Sequence, residues 1–422
     1  HAPSSTSERS RAASSSPVSS ARSSDQRQKA YTAAKSSRNR LAEMHPEITA
    51  WRHDLHRHPE LMYNLPRTSA KVAEHLRAFG CDEVVTGIGI SGVVGVIRGR
   101  QTASGRVTGF RADMDALPIS EASGVAFAST TPGKMHACGH DGHTAILLGA
   151  AQYLAETRNF DGTVVLAFQP AEEGGAGGKA MVDDGLMTRW GVQEVYGLHN
   201  MPGLPVGQFA TRPGALMASA DEFTLTVTGK GGHAAMPHHA IDTTLVASHI
   251  VIALQSVVAR NIDPLGAVVV TVGSFHTDSV ASNVIAHEVV LKGTVRTLDP
   301  ALRDLAQERI EALVPATAAA YGASAVVDYQ RGYPVTVNHP DQTEFAARCA
   351  EEVSGACIRD IAPIMPAEDF AFMLEARPGA YVFLGNGDTP MCHHPAYRFD
   401  DAVIPVGASW FVTLAERRMP LD

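Results

Sequence analysis

The chain has few cysteines for its length, five in 422 residues, and their number is odd and their spacing scattered. That excludes a disulfide framework and predicts reduced thiols in a cytoplasmic protein. Long runs of one charge are also missing: the net charge of −9 is spread along the chain. A nucleic-acid partner would call for a basic face, so none is expected. No apolar stretch approaches the ~20 residues of a membrane-spanning helix, so no membrane partner is expected either. The first 24 residues hold eleven serines and almost no apolar side chains. They lack the apolar core of a signal peptide, and residues 1–37 are read as a disordered tail outside the fold.

What is present is a globular composition, 45% apolar and 19% charged, in a chain long enough for two domains. Order is expected from about Arg38. Met44, Ile48, Trp51 and Leu55 recur at helical spacing, and Thr68 precedes a second such pattern in Val72, Leu76 and Phe79. Short apolar runs then alternate with helices: "VVGVI" (93–97), "RVTGF" (106–110), "TVVLAF" (163–168) and "EVYGL" (194–198). Strands without polar alternation, separated by helices, predict an α/β unit with a mostly parallel sheet covered on both faces.

The texture changes near Pro213. "EFTLTVTG" (222–229) alternates, a helix follows over about 243–259, and strand-like runs occupy 267–275 and 286–296. Asp299-Pro300 opens a helix to about Tyr321, and "SAVVDYQ" completes a βαββαβ order. That is a small ferredoxin-like unit, over 213–330, inserted into a larger domain made of 38–212 and 331–422.

Ligands of open α/β sheets sit beyond the carboxyl ends of the strands. The 106–111 strand runs into Asp113 and Asp115, the 163–168 strand into Glu172-Glu173, and the 194–198 strand into His199. "HACGHDGH" (136–143) stands immediately before a helix, and "CHHP" (392–395) follows "YVFLG" (381–385). The polar clusters are therefore expected at one edge. There Cys138, His140, Glu173, His199 and His393 offer thiolate, imidazole and carboxylate. Five ligands exceed one tetrahedral site and suit two divalent ions. Of the adjacent acids, one can bind metal while the other serves as general base. A cysteine-nucleophile hydrolase built on Cys138 is the chemical rival, but it leaves the acids and the other histidines without a role. Gly87 to Gly92 fits GxGxxG, yet leads into the β-branched "VVGVI", so it is read as a turn and not a dinucleotide site.

Nine stretches in order carry a resemblance: "DLHRHPEL" (54–61), "RADMDALP" (111–118), "HACGHDGH", "PAEEG" (170–174), "GLHN" (197–200), "GKGGHAAMPH" (229–238), "SNVIAHEVVLKGTVR" (282–296), "AEDFAFM" (367–373) and "CHHPAYRFDD" (392–401). With them the chain resembles the metal-dependent aminoacylase/carboxypeptidase peptidase family, in the branch of hippurate hydrolase and auxin-conjugate amidohydrolases. The resemblance implies a two-metal catalytic domain with an inserted lid domain; the small unit offers an exposed strand edge for pairing, so it is also read as a dimerisation domain and a homodimer or higher homo-oligomer is expected. The resemblance also implies Cys138 bridging the metals, with His140, Glu173, His199 and His393 completing the shell and Glu172 as general base. The family's last ligand lies two residues before a proline, which selects His393 over His394. Asp115 would orient a ligand without binding metal. In the lid, His233 would stabilise the oxyanion, in many relatives from the partner subunit, and Asn283 and Arg296 would contact substrate. His53, His56 and His58 on the first helix are read as structural.

The activity implied is metal-dependent hydrolysis of N-acyl amino acids, hippurate-like or N-acetylated, to a carboxylic acid and a free amino acid. The metals would be zinc or manganese, with cobalt or nickel also compatible with the donors. Dipeptidase or carboxypeptidase action within the family is the alternative substrate class, and a non-catalytic binding module the alternative outside it.

Overall fold

The computed structural model describes residues 24–421. Residues 1–23 of the expected tail lie outside the described residues. The first helix, Ser24–Arg57, begins ahead of the expected start near Arg38. Met44, Ile48 and Leu55 on its inner face are buried. The second helix is Pro66–Ala78, so Thr68 falls inside its first turn and not before it. Proline at the first position is preorganised for a helix, and Glu60 takes the free N–H of Thr68 at 2.8 Å.

The centre of the large sheet is four parallel strands, in the order Thr163–Gln169, Val107–Asp113, Glu194–Met201, Gly379–Gly385. Beyond Thr163–Gln169 lies an antiparallel hairpin, Gly92–Arg98 and Glu83–Ile88. The glycine-rich 87–92 stretch is the turn of that hairpin, with Gly87 at φ +84°, so no helix follows it. Phe209–Ala210 and Cys357–Ile358 close the other edge. Gly379–Gly385 is buried throughout, as expected of a strand covered on both faces. On one face Ile146, Leu147, Trp410 and Phe411 pack against Phe110, Leu166 and Tyr196. On the other, Met181, Met187 and Met373 pack against Val165 and Val195.

The inserted unit is an antiparallel sheet in the order Val268–Thr277, Glu288–Thr297, Ser219–Thr228, Ser324–Arg331. Helices Thr243–Ser256 and Pro300–Ala320 supply its core with Val246, Ile250, Leu254, Ile310 and Val314. Asp242 and Asp299 cap the N-termini of these helices through their side chains, which fixes where each helix starts. The βαββαβ order is therefore ferredoxin-like. The chain enters and leaves this unit on two antiparallel segments, Gly214–Met217 and Thr336–Asn338.

One expectation is corrected here. The stretch Thr243–Asn261 is one continuous helical run apolar enough, by length and composition, to cross a membrane. Its serines, histidine and glutamine interrupt the apolar run in sequence, and Arg260 is its one charged side chain. Its inner face, Val246, Ala247, Ile250, Leu254 and Val257, is buried in the core of the small unit. Leu245 and Ile252 on its outer face are exposed.

Asp221 anchors the small unit. Fully buried, it accepts from Arg303, from the Tyr329 hydroxyl at 2.9 Å and from the Gly332 N–H at 3.1 Å. Replacing it with alanine leaves the Arg303 guanidinium without its partner. Urea denaturation of Asp221→Ala is expected to show a loss of about 3–5 kcal/mol; a change below 1 kcal/mol would mean that Arg303 finds other partners.

Candidate active site

The strand ends deliver the polar residues. Val107–Asp113 ends in buried Asp113 and passes to buried Asp115. After Thr163–Gln169 the chain turns at Ala171, at φ +52°, and presents Glu172 and Glu173. His199 lies on Glu194–Met201. The helix His140–Thr157 is entered through Gly139 at φ +88°. A Cβ there would stand 2.4 Å from the Asn200 amide nitrogen and 2.6 Å from the Tyr397 hydroxyl. Only glycine permits this approach, and it sets Cys138 and His140 on either side of the turn.

These side chains converge in overlapping groups whose ligand atoms lie within 4.8 Å of one another: Cys138 with His140 and His199, Cys138 with Glu173 and His393, and His140 with Glu172 and Glu173. The Cys138 sulfur is 3.3 Å from His199 Nε2, and His393 Nε2 is 3.3 Å from Glu173 Oε1. His393 adopts φ +69° to reach the cluster. His394 instead accepts the N–H of Ala396.

Hydrogen bonds behind the cluster fix its donors. His199 Nδ1–H donates to the Asn200 carbonyl at 2.5 Å, which leaves Nε2 with its lone pair toward Cys138. His143 uses both nitrogens, Nδ1–H to Asp113 and Nε2 from the Asn200 N–H, so it is structural. Asp115 accepts the N–H groups of Glu172 and Glu173 at 2.9 and 3.1 Å; it orients the pair through the main chain. His56, flagged as structural, bridges Asp141 at 2.8 Å and Glu121 at 3.1 Å. Burial opposes its charge, but these acids raise its pKa to about 9. Arg52 also binds Asp141, so the turn next to His140 is pinned from the first helix.

His140 is different. It is fully buried, yet neither ring nitrogen has a hydrogen-bond partner. Asp115, Asp113 and Glu173 stand 3.6, 3.7 and 3.8 Å away, too far to satisfy it. Burial pushes its pKa down, but the charge of Asp113 and the other acids lifts it to about 10. Glu173 Oε1 is likewise buried and makes no regular hydrogen bond, only the 3.3 Å contact with His393 Nε2. Donors aimed at a common centre that none of them fills, in a thiolate, imidazole and carboxylate set, fit divalent metal.

Glu172 is buried, and burial together with Glu368 and Glu173 raises its pKa well above the usual carboxylate range. Glu368 and Asp369, from "AEDFAFM", complete a second acidic group with it. Arg111 neutralises that group, donating to Asp113, Glu368 and Asp369 at 2.8, 2.8 and 2.9 Å. Neither Arg111 nor Glu368 was singled out from the sequence. The position of "AEDFAFM" among the nine stretches was the available signal.

A cleft of about 620 Å³ opens over the cluster. Cys138, Glu172, Glu173, His199 and His393 line it on one side; Arg296, Glu222 and Tyr333 line it on the other, and Met201, Met217, Ile364 and Phe383 add apolar wall. The expected substrate pair is divided. Arg296 faces this cleft, whereas Asn283 shares a separate open cleft on the small unit with His233. His233 is paired there with Val284 and is exposed.

Residues 109–417 match the model of peptidase family M20/M25/M40. The chain is 40% identical over 377 residues to hippurate hydrolase of Campylobacter jejuni subsp. jejuni, covering 89% of this chain and 97% of that relative. It is 38% identical to N-acetyl-L-cysteine deacetylase of Bacillus subtilis, over 90% of this chain and 89% of the relative. The crystal structure of the Bacillus subtilis YXEP protein, described as a dinuclear metal binding peptidase, superposes with a TM-score of 0.78 at 33% identity. That match covers 90% of this chain and 99% of the other.

Proposed function

The chain belongs to peptidase family M20/M25/M40 and is a metal-dependent hydrolase of the amide bond of N-acyl amino acids, and we propose the following division of labour among its residues. Cys138, His140, Glu173, His199 and His393 would hold two divalent ions. The single observation that carries this is buried His140, whose two nitrogens lack partners among close acids. When bound, the ions polarise the amide carbonyl and acidify the attacking water. The thiolate favours zinc by softness, and manganese is the second choice.

Glu172 takes the proton of the attacking water and passes it to the leaving nitrogen. Asp115 keeps its main chain in place. Arg296, in the opposite wall of the cleft, binds the substrate carboxylate with its planar fork. The apolar wall of Met201, Met217, Ile364 and Phe383 suits the acyl group. His233 and Asn283 face a cleft apart from this cluster. We assign them to the site of a second copy in a homodimer, where His233 stabilises the oxyanion. Exposed Leu245, Ile252, Leu265 and Val280 on the small unit support such pairing. Residues 213–330 then form the lid and dimerisation domain, and 38–212 with 331–422 the catalytic domain.

The cysteine-nucleophile reading is disfavoured by the Cys138 thiol itself. Contact with Cys392 and burial raise its pKa well above the ordinary value, the reverse of an activated nucleophile. The test of function is amino-acid release from a panel of N-benzoyl and N-acetyl amino acids and dipeptides, hippurate included. Release from acyl amino acids at least tenfold faster than from dipeptides is expected. Faster release from dipeptides would transfer the assignment to the peptidase side of the family.

A further inference from the structure

We propose that Tyr333 is a positioning residue for the reaction: its phenol oxygen fixes the turn that carries Glu172, while its main-chain carbonyl bonds the small sheet. The inference rests on Glu172 being the general base.

The hydroxyl donates to the Glu172 carbonyl at 2.6 Å and accepts the N–H groups of Gly174 at 2.9 Å and Ala176 at 3.1 Å. A phenol has one proton to give and can accept as well, so all its capacity is spent on this one turn. Within the turn, the Gly174 N–H also reaches the Glu172 carbonyl at 2.7 Å. Asp115 takes the N–H groups of Glu172 and Glu173 from the far side. The turn is thus clamped between a carboxylate that reads its first amides and a phenol that reads its carbonyl and last amides. No other described side chain bonds the Glu172 carbonyl.

The other half of Tyr333 points to a different body. Its carbonyl accepts the Ala220 N–H at 2.9 Å. Its neighbour Gly332 donates to Asp221 at 3.1 Å and accepts from Arg303 at 3.2 Å. A Cβ on Gly332 would lie 2.4 Å from the Ala220 carbonyl oxygen, so the chain just before Tyr333 runs in close contact with the strand of Ala220. Ala220 and Asp221 begin the central strand of the small sheet, and Arg303 sits on its second helix. A shift of the small unit against the large sheet therefore moves the phenol that holds the base. Tyr333 couples the attitude of the small unit to the position of Glu172.

A purely packing role would depend on the ring, whose aromatic neighbour is Phe372, edge-on at 6.1 Å. Two variants separate ring from hydroxyl. Tyr333→Phe keeps the ring, and its kcat for hippurate is expected to fall by about 10- to 100-fold, the scale of a small misplacement of a catalytic group. Its KM stays within about twofold of the parent, because the lost bonds do not touch substrate. Metal content is unchanged, and amide hydrogen exchange at Gly174 and Ala176 accelerates. Phe372→Leu disturbs the ring's packing and leaves kcat near the parent value. Parental kcat in Tyr333→Phe, or an equal loss in Phe372→Leu, overturns the proposal. If the parent chain cleaves nothing in the panel, the function assigned above fails first. The exchange measurement still decides Tyr333, and undiminished protection at Gly174 and Ala176 sinks it.

Discussion

Replacing Glu172 with glutamine is expected to lower kcat by about 10²- to 10⁴-fold, the range of a positioned general base, while both metal sites stay filled. The two outcomes separate because of what holds the residue. Its turn is fixed by main-chain bonds to Asp115 and Tyr333, which an isosteric amide does not disturb. Its carboxylate falls in the group with His140 and Glu173 but not in those centred on Cys138. Burial among Glu368 and Glu173 raises its proton affinity, which suits a group that must accept a proton and release it to the leaving nitrogen. Elemental analysis beside steady-state kinetics checks this. Metal lost together with activity would move Glu172 from base to ligand.

The same turn shows where sequence reasoning reaches its end. Glu172 and Glu173 were visible because they directly follow an apolar strand, and an acid at a strand's carboxyl end has few structural reasons to be there. Asp113 and His199 were visible for that reason too. The small unit was legible from the alternation in Ser219–Thr228 and from Asp299-Pro300, where the Asp299 side chain caps the helix that follows. Tyr333 carried no comparable signal. It acts on a main-chain carbonyl 161 residues earlier in the chain, and a hydroxyl that bonds backbone imposes no pattern on side chains. Arg111 was hidden in another way, since a cation inside an apolar strand looks like a strand end until Glu368 and Asp369 arrive from beyond residue 360. Arg296 and Asn283 sit in motifs that read as one substrate-contacting pair. The fold sends them to different clefts because Arg296 lies on an inner strand of the small four-stranded sheet, whereas Asn283 precedes the short strand paired with His233. Register in three dimensions, and not motif content, decides that separation.

Removing the metal is expected to abolish hydrolysis and to lower the melting temperature in the same titration. Cys138, His140, Glu173, His199 and His393 come from separate segments, and only the folded chain brings them together. An ion that binds the folded state alone stabilises it by about 2.7 kcal/mol at a hundredfold excess over its Kd. Without ions, buried His140 has no hydrogen-bond partner on either ring nitrogen, a cost that a bound ion would relieve. Chelation followed by differential scanning calorimetry and an activity assay therefore gives paired losses, and zinc or manganese restores both. Thiol alkylation adds the discriminating arm. Cys138 is buried, and as a metal ligand its sulfur would be engaged, so the loaded protein should resist a thiol reagent that inactivates the chelated one. Activity that survives chelation yet disappears on alkylation would make Cys138 the nucleophile. The acids and histidines around it would then be its supporting network, and the two-metal assignment would fall.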